Sequence, residues 1–313
     1  TSPKLPLSNC FEGLVDAALK GLGEEGLARL FDLEPRLGVA PDFSDFEALG
    51  YLAPKRILPF NFSWGCPWKR CTFCPEKTED LPYRGLRIDE AHREIETLVD
   101  SYSPGLIHFT DNEVSPLYLA MMASSSNSAP WYGFARFSRR LLDPDFCHAL
   151  AASGCVMLQL GLESGDQEVL DKLGKGTRIE EIERILVNLK SASIGTYAYI
   201  LFGTPSEDRE AALRTRDFVA SHADEIDYLN VALFNLPSAG DEARSLATKP
   251  FYEGELSLYS EFEHPRAWNR AEVRRFIKED FESQSSIRAI LSRTPPVFTS
   301  SHAPFFLEVH ANP

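Results

Sequence analysis

Three cysteines, Cys66, Cys71 and Cys74, fall within the short run Trp64-Gly65-Cys66-Pro67-Trp68-Lys69-Arg70-Cys71-Thr72-Phe73-Cys74-Pro75. Thiolates are soft ligands suited to iron and zinc. Three of them on one loop can wrap an iron–sulfur cluster and leave one iron without a protein ligand, and an open iron is reactive. Structural zinc usually takes four Cys or His ligands in paired spacing. No second pair follows here, yet His92 and His108 are available elsewhere in the chain, so zinc stays open as an alternative. Disulfides compete poorly. The chain has six cysteines in 313 residues and no secretory signal at its start, which fits a reducing, cytoplasmic compartment. Cys10, Cys147 and Cys155 are scattered in apolar surroundings and read as buried packing residues.

Other polar groups emerge from apolar runs. Thr110-Asp111-Asn112-Glu113 follows Leu106–Phe109, and Asp111 or Asn112 could also cap the helix that begins near Pro116. Arg136 lies within Phe134–Phe137, where a charge is costly unless paired, and Glu163 is a plain structural partner for it. Glu163 and Ser164 close the run Leu160-Gly161-Leu162, with Ser164 also placed to cap a helix at Asp166. Tyr199-Ile200-Leu201-Phe202-Gly203-Thr204-Pro205 and Asn235-Leu236-Pro237 end two further runs.

Those groups need a scaffold. Strand-like runs at Ile57–Phe62, Leu106–Phe109, Trp131–Phe137, Val156–Leu162, Tyr197–Phe202 and Tyr228–Phe234 alternate with helical stretches, at intervals suited to strand–helix units. Ile88, Ala91, Ile95, Leu98, Val99 and Tyr102 form one stripe at helical spacing. Asp143 before Pro144 predicts a helix start and Gly154 its end, while Thr177 and Glu180 have capping-box spacing. Six units predict an α/β fold with a parallel sheet. A cysteine loop after the first strand favours a partial (β/α)6 TIM-like barrel over an open sheet, because barrel active sites gather at the C-terminal strand ends.

The expected layout is a helical extension over 1–54, the barrel over 55–237 and an irregular C-terminal extension over 238–313. In the first part Phe11, Leu14, Val15, Leu19, Leu27 and Leu30 keep a helical period broken by Gly21, Gly23 and Gly26. In the last, a helix is expected over Arg270–Glu282. No apolar run reaches the roughly 18 residues of a membrane span. The net charge of −14 argues against broad nucleic-acid binding, which needs a basic surface.

The Cx4Cx2C spacing, with an aromatic before the last cysteine, resembles the cluster loop of radical S-adenosylmethionine (radical SAM) enzymes. The resemblance runs in order over about residues 55–237. It implies a 4Fe–4S cluster on Cys66, Cys71 and Cys74, with the open iron chelated by the amino and carboxylate groups of SAM. It further implies that Asp111, Asn112 and Glu113 meet the SAM ammonium, although two glycines of the family's usual motif are replaced here. Glu163 and Ser164 would meet the ribose and carboxylate, Arg136 a carboxylate of SAM or substrate, and Ile200, Gly203 and Asn235 the adenine. Phe73 would pack beside the cluster or adenine.

Pro41-Asp42-Phe43, Tyr51-Leu52, Leu58-Pro59, the Gly-Cys-x-Trp-x-x-Cys-Thr-Phe-Cys loop and the Pro295–Pro304 region resemble a narrower branch. Its members carry a cobalamin-binding domain and include C-methyltransferases and modifiers of ribosomally made peptides. Some fifty residues before the barrel are too few for that domain, and no Asp-x-His-x-x-Gly motif occurs, so cobalamin is not expected within this chain. The function expected is reductive cleavage of SAM to a 5′-deoxyadenosyl radical acting on a peptide or small molecule, with flavodoxin or ferredoxin as electron donor. The alternatives are cobalamin-assisted C-methylation using a domain supplied elsewhere, and a zinc- or cluster-stabilised binding protein without turnover.

Overall fold

Six parallel strands, β1 (Ile57–Phe60), β2 (Leu106–Phe109), β3 (Trp131–Ala135), β4 (Cys155–Glu163), β5 (Gly195–Phe202) and β6 (Tyr228–Leu233), pair in chain order in a computed structural model. The model describes residues 13–19, 21–35, 41–46, 50–79, 81–125, 129–251, 258–297 and 299–307. Parallel neighbours require crossovers. These are α1 (Ile88–Tyr102), α2 (Pro116–Ala123), α3 (Pro144–Ala152), α4 (Gln167–Lys172), α5 (Ile179–Ser191) and α6 (Arg209–Ser221). The result is the partial TIM-like barrel expected from six strand–helix units.

Alternation along the strands sorts two cores. Ile107, Phe109, Trp131, Leu158, Leu160, Ala198, Ile200 and Leu229 pack outward with helix residues such as Ile95, Leu98 and Leu186. Leu106, Tyr132, Met157, Tyr197 and Tyr228 turn inward near the N-terminal ends of their strands. Ala303, with Phe305 and Leu307 against it, fills that inner end. A Cβ on Gly195, the first residue of β5, would lie 2.6 Å from Leu307 Cδ1, so a bare backbone there admits the C-terminal segment.

The stripe on α1 buries Ala91, Ile95 and Leu98, and the Tyr102 hydroxyl donates to Asp42 Oδ1 at 2.8 Å. Asp143 caps α3 by accepting from the Asp145 N–H, as its place before Pro144 predicts. Two helix caps differ from expectation. α2 begins at Pro116 as expected, but Asp111 does not cap it, because its carboxylate is held by Phe62 and Ser63 just beyond β1. α5 begins after Arg178 rather than in a Thr177–Glu180 capping box, and Gln167 Oε1 accepts from the Ile179 N–H instead.

The ends also differ. Residues 13–19 are not helical, the first described helix is Gly23–Leu30, and Leu14, Val15, Leu27 and Leu30 are exposed. Gly23 and Gly26 sit inside that helix instead of breaking it. Cys10 and Phe11 lie outside the described residues. After β6, Leu236–Pro237, Tyr259–Phe262 and Thr248–Pro250 form an antiparallel sheet. α7 (Arg270–Phe276) then runs into a π-turn over Ile277–Phe281, and α8 (Ser285–Arg293) follows. This part is more regular than the irregular extension expected, since Phe276, Phe281, Ile287 and Ile290 are fully buried in the outer core.

Candidate active site

The cysteine loop leaves β1 at the C-terminal end of the sheet and is pinned on two sides. On one, the strand pair Ser63–Trp64 with Arg84–Gly85 closes it as a small hairpin. On the other, the Thr72 N–H donates to Leu173 O at 2.9 Å and Trp68 Nε1 donates to Gly174 O at 2.9 Å. Gly174 has φ +65°, and a Cβ there would stand 2.7 Å from Arg70 O, so only glycine lets the two loops meet this closely. Cys71 is buried and Cys66 and Cys74 are half-buried. Burial pushes the Cys66 thiol up, and the Cys74 thiol to about 11.

Three further strand ends converge on the loop. Beyond β2, Asp111 turns to β1, its carboxylate accepting from the Phe62 N–H at 3.0 Å and from Ser63 Oγ at 2.6 Å. Burial raises that carboxyl to about 6. Asn112 is exposed. Glu113 is buried, accepts from Cys66 Sγ at 3.6 Å and lies 3.8 Å from Arg136 Nε. Burial raises the Glu113 carboxyl, against the opposing pull of the Arg136 guanidinium.

Arg136, just beyond β3, is the hub. Its guanidinium stands 4.3 Å over the Trp68 ring, Nη1 donates to Cys71 Sγ at 3.7 Å, and Nη2 donates to Lys175 O. The plain pairing of Arg136 with Glu163 is not formed. Glu163 instead binds Lys175, Nζ to Oε1 at 2.8 Å, with both side chains almost fully buried. Glu163 ends β4 at a register shift and has φ +62°, a left-handed conformation costing about 1–3 kcal/mol for a residue with a side chain. Gly161 makes room for this: a Cβ there would lie 2.4 Å from Glu163 Oε1 and 2.5 Å from Lys175 Nζ.

Ser164 is fully buried and faces α6, bonding Thr215 Oγ1 at 3.0 Å and accepting from the Asp166 N–H at 3.1 Å. Its hydroxyl therefore serves the turn into α4. Phe73 packs by Val169, Leu173 and Ala211, with Lys175 Nζ 5.8 Å from its ring. Ile200 is buried on the outer face of β5. Gly203 and Asn235, at the ends of β5 and β6, border a cavity of about 400 Å3 walled by Phe234, Phe262 and Trp268. Beneath it Glu207 is buried, accepting from the Gly203 N–H at 2.5 Å and from Trp268 Nε1 at 3.0 Å, and burial raises its carboxyl to about 8.

The two histidines held in reserve as zinc ligands are engaged elsewhere: His92 bonds Glu96 along α1, and His108 stacks on Tyr132 inside the barrel. Among the described residues no three His, Cys, Asp or Glu side chains converge on a single ion.

A family model described as the radical SAM superfamily matches residues 60–219. The chain belongs to that superfamily. It is 27% identical over 190 residues to a bacteriochlorophyllide d C-12(1)-methyltransferase of Chlorobaculum tepidum, covering 57% of this chain and 41% of that protein. It is 26% identical over 218 residues to an anaerobic magnesium-protoporphyrin IX monomethyl ester cyclase of Rubrivivax gelatinosus, covering 66% and 39%. The chain thus spans about two fifths of the length of these curated relatives. It shares a fold with the radical SAM methyltransferase TsrM of Kitasatospora setae, solved with tryptophan substrate and a SAM analogue. That match has TM-score 0.54 and 18% identity, over 82% of this chain and 58% of that one.

Membership makes this radical SAM chain part of an enzyme family built on a 4Fe–4S cluster and SAM. The residues present fit both. Three thiols on one short loop, electrostatically coupled to one another, suit a cluster whose thiolates bind separate irons. The buried ion pairs at the ends of β2, β3 and β4 supply opposite charges beside the loop, where a zwitterionic amino-acid moiety needs both.

Two members of this arrangement carried no sequence assignment. Lys175 was signalled only by its place between Gly174 and Gly176, both of positive φ. Trp68 was visible in the loop, but the Arg136 guanidinium 4.3 Å over its ring comes from chain far from it in sequence.

Proposed function

We propose that this chain is the radical-generating barrel of an enzyme that functionalises an unreactive carbon of a peptide or small molecule. The observation that carries the reading is the convergence of Cys66, Cys71 and Cys74 with Glu113, Arg136 and the Glu163–Lys175 pair at one end of a parallel barrel. When bound and reduced, the cluster supplies the electron that splits SAM into methionine and a 5′-deoxyadenosyl radical. The protein's part is ligation, orientation and exclusion of water. Cys66, Cys71 and Cys74 hold the cluster, and Glu113 offers a carboxylate to the SAM ammonium. Arg136 and Lys175 offer cations towards its carboxylate. Gly203 and Asn235 border the space for the adenine. A low-potential donor such as flavodoxin or ferredoxin delivers the electron, in the reducing setting of a cytoplasm.

Corrinoid-assisted C-methylation is the second reading. It is favoured by the methyltransferase among the curated relatives and by the two fifths of relative length that this chain spans. In that reading the corrinoid is held by protein outside residues 1–313.

Anaerobic reconstitution with iron and sulfide, followed by dithionite and SAM, tests the first reading. A brown protein that releases 5′-deoxyadenosine supports it, and a colourless protein that binds zinc and leaves SAM intact overturns it. Titration with hydroxocobalamin addresses the second, and stoichiometric tight uptake would place the corrinoid site on this chain after all.

A further inference from the structure

Arg136 touches the cluster loop in two ways that recognition of a SAM carboxylate does not require. Nη1 donates to Cys71 Sγ at 3.7 Å, and the guanidinium plane lies 4.3 Å over Trp68 of the same loop. Its further contacts, Nη2 to Lys175 O and Nε 3.8 Å from Glu113 Oε2, fix it from the loop after α4 and from the end of β2. Its side chain is only 13% exposed, so solvent screens its charge poorly. Glu113 is placed oppositely: 7% exposed, it faces Cys66 Sγ at 3.6 Å. The two sulfurs therefore see charges of opposite sign.

We infer that Arg136 and Glu113 set the reduction potential of the cluster held by Cys66, Cys71 and Cys74, Arg136 raising it and Glu113 lowering it. The inference rests on the proposed cluster site. One-electron reduction, with dithionite as donor, adds one negative charge to a cluster and three thiolates that are already anionic. A buried cation donating an N–H to a ligating sulfur stabilises the reduced form more than the oxidised one, and hydrogen bonds to sulfur and local charge are known levers on such potentials. A buried carboxylate beside a ligating sulfur does the reverse. Because the guanidinium is held by Trp68, Glu113 and Lys175 O, this influence is present before SAM arrives. Arg136 is thus a positioning and tuning residue for the loop itself.

The test is a dithionite titration of the reconstituted full chain without SAM, followed by electron paramagnetic resonance of the reduced cluster. Arg136→Gln is expected to lower the midpoint by about 60 mV, a tenfold loss in the one-electron equilibrium. Arg136→Lys, which keeps the charge but not the planar fork, should fall between it and wild type, and Glu113→Gln should shift the midpoint upward. A midpoint unchanged in Arg136→Gln, with SAM affinity reduced, overturns the inference and leaves Arg136 as a SAM ligand only. Should Arg136→Gln fail to hold a cluster, Arg136→Lys and Glu113→Gln carry the test, and unchanged midpoints in both overturn it. Failure of the wild-type chain to take up iron is a separate result that sinks the cluster reading and this inference with it.

Discussion

Lys175 meets Glu163 at 2.8 Å directly above Gly161, so one ion pair holds the strained end of β4 to the loop that follows α4. Both partners are largely buried, and breaking such a pair from one side leaves an uncompensated charge. Lys175→Met should destabilise the apo chain by about 3–5 kcal/mol in denaturant unfolding. Adding Glu163→Gln should recover much of the loss. Equal stability of Lys175→Met and wild type would show that the pair carries no weight.

Cys66, Cys71 and Cys74 should each be indispensable for iron uptake, since every one supplies a thiolate to one centre. Alanine at any of them is expected to abolish release of 5′-deoxyadenosine from SAM. Cys147 and Cys155 are buried away from the loop, with Cys147 Sγ bonding Leu141 O at 3.4 Å. Alanine there should cost stability alone, about 0.5–3 kcal/mol. Full turnover by Cys71→Ala would be incompatible with the assignment.

Gly174→Ala probes the contact between loops. Its φ of +65° costs an L-residue about 1–2 kcal/mol, and the new methyl meets Arg70 O at 2.7 Å. The Trp68 Nε1 bond to Gly174 O should be lost, and iron incorporation should fall while the far-ultraviolet circular dichroism of the barrel stays intact. Normal iron content in this variant would mean that the cysteine loop holds its shape without that support.

Stability should decline with pH because of Glu207. Its folded carboxyl is raised to about 8 from an ordinary value of 4.5. Between these values the folded chain keeps a proton that the unfolded chain has released. Stability is therefore fullest below about pH 4.5, falls by at most about 1.4 kcal/mol per unit up to about pH 8, and is flat beyond. Other groups add their own slopes, so the readout is a difference: Glu207→Gln should remove this component from the unfolding free energy measured across pH 5 to 8. Parallel curves for wild type and variant would count against a neutral Glu207.

Much of this was legible because the signals are local. The strand-like runs, the stripe on α1 and the Asp143-Pro144 start each sit within one short window, and each reappears in the fold. What escaped depends on distance in sequence. Arg136 is a costly charge wherever it lies, but whether it pairs with Glu113 or with Glu163 is decided by which strand ends meet in space. Nothing local marks Lys175: its partner Glu163 is turned towards it by the register shift at Gly161–Glu163, twelve residues earlier. The Thr177–Glu180 signal lost to Gln167, a residue on the previous helix. The period over Leu14–Leu30 misled for another reason: Leu14 and Val15 are exposed, and an apolar stripe that buries little surface does not by itself hold a helix there, so among the described residues of that stretch only Gly23–Leu30 is helical.

Ala303, Phe305 and Leu307 pack on the inner face of the sheet, near the N-terminal strand ends, against Leu106, Tyr132, Met157, Tyr197 and Tyr228. With that end of the inner face filled by apolar side chains, the charged groups of the candidate site are confined to the opposite, C-terminal strand ends, where the cysteine loop leaves β1.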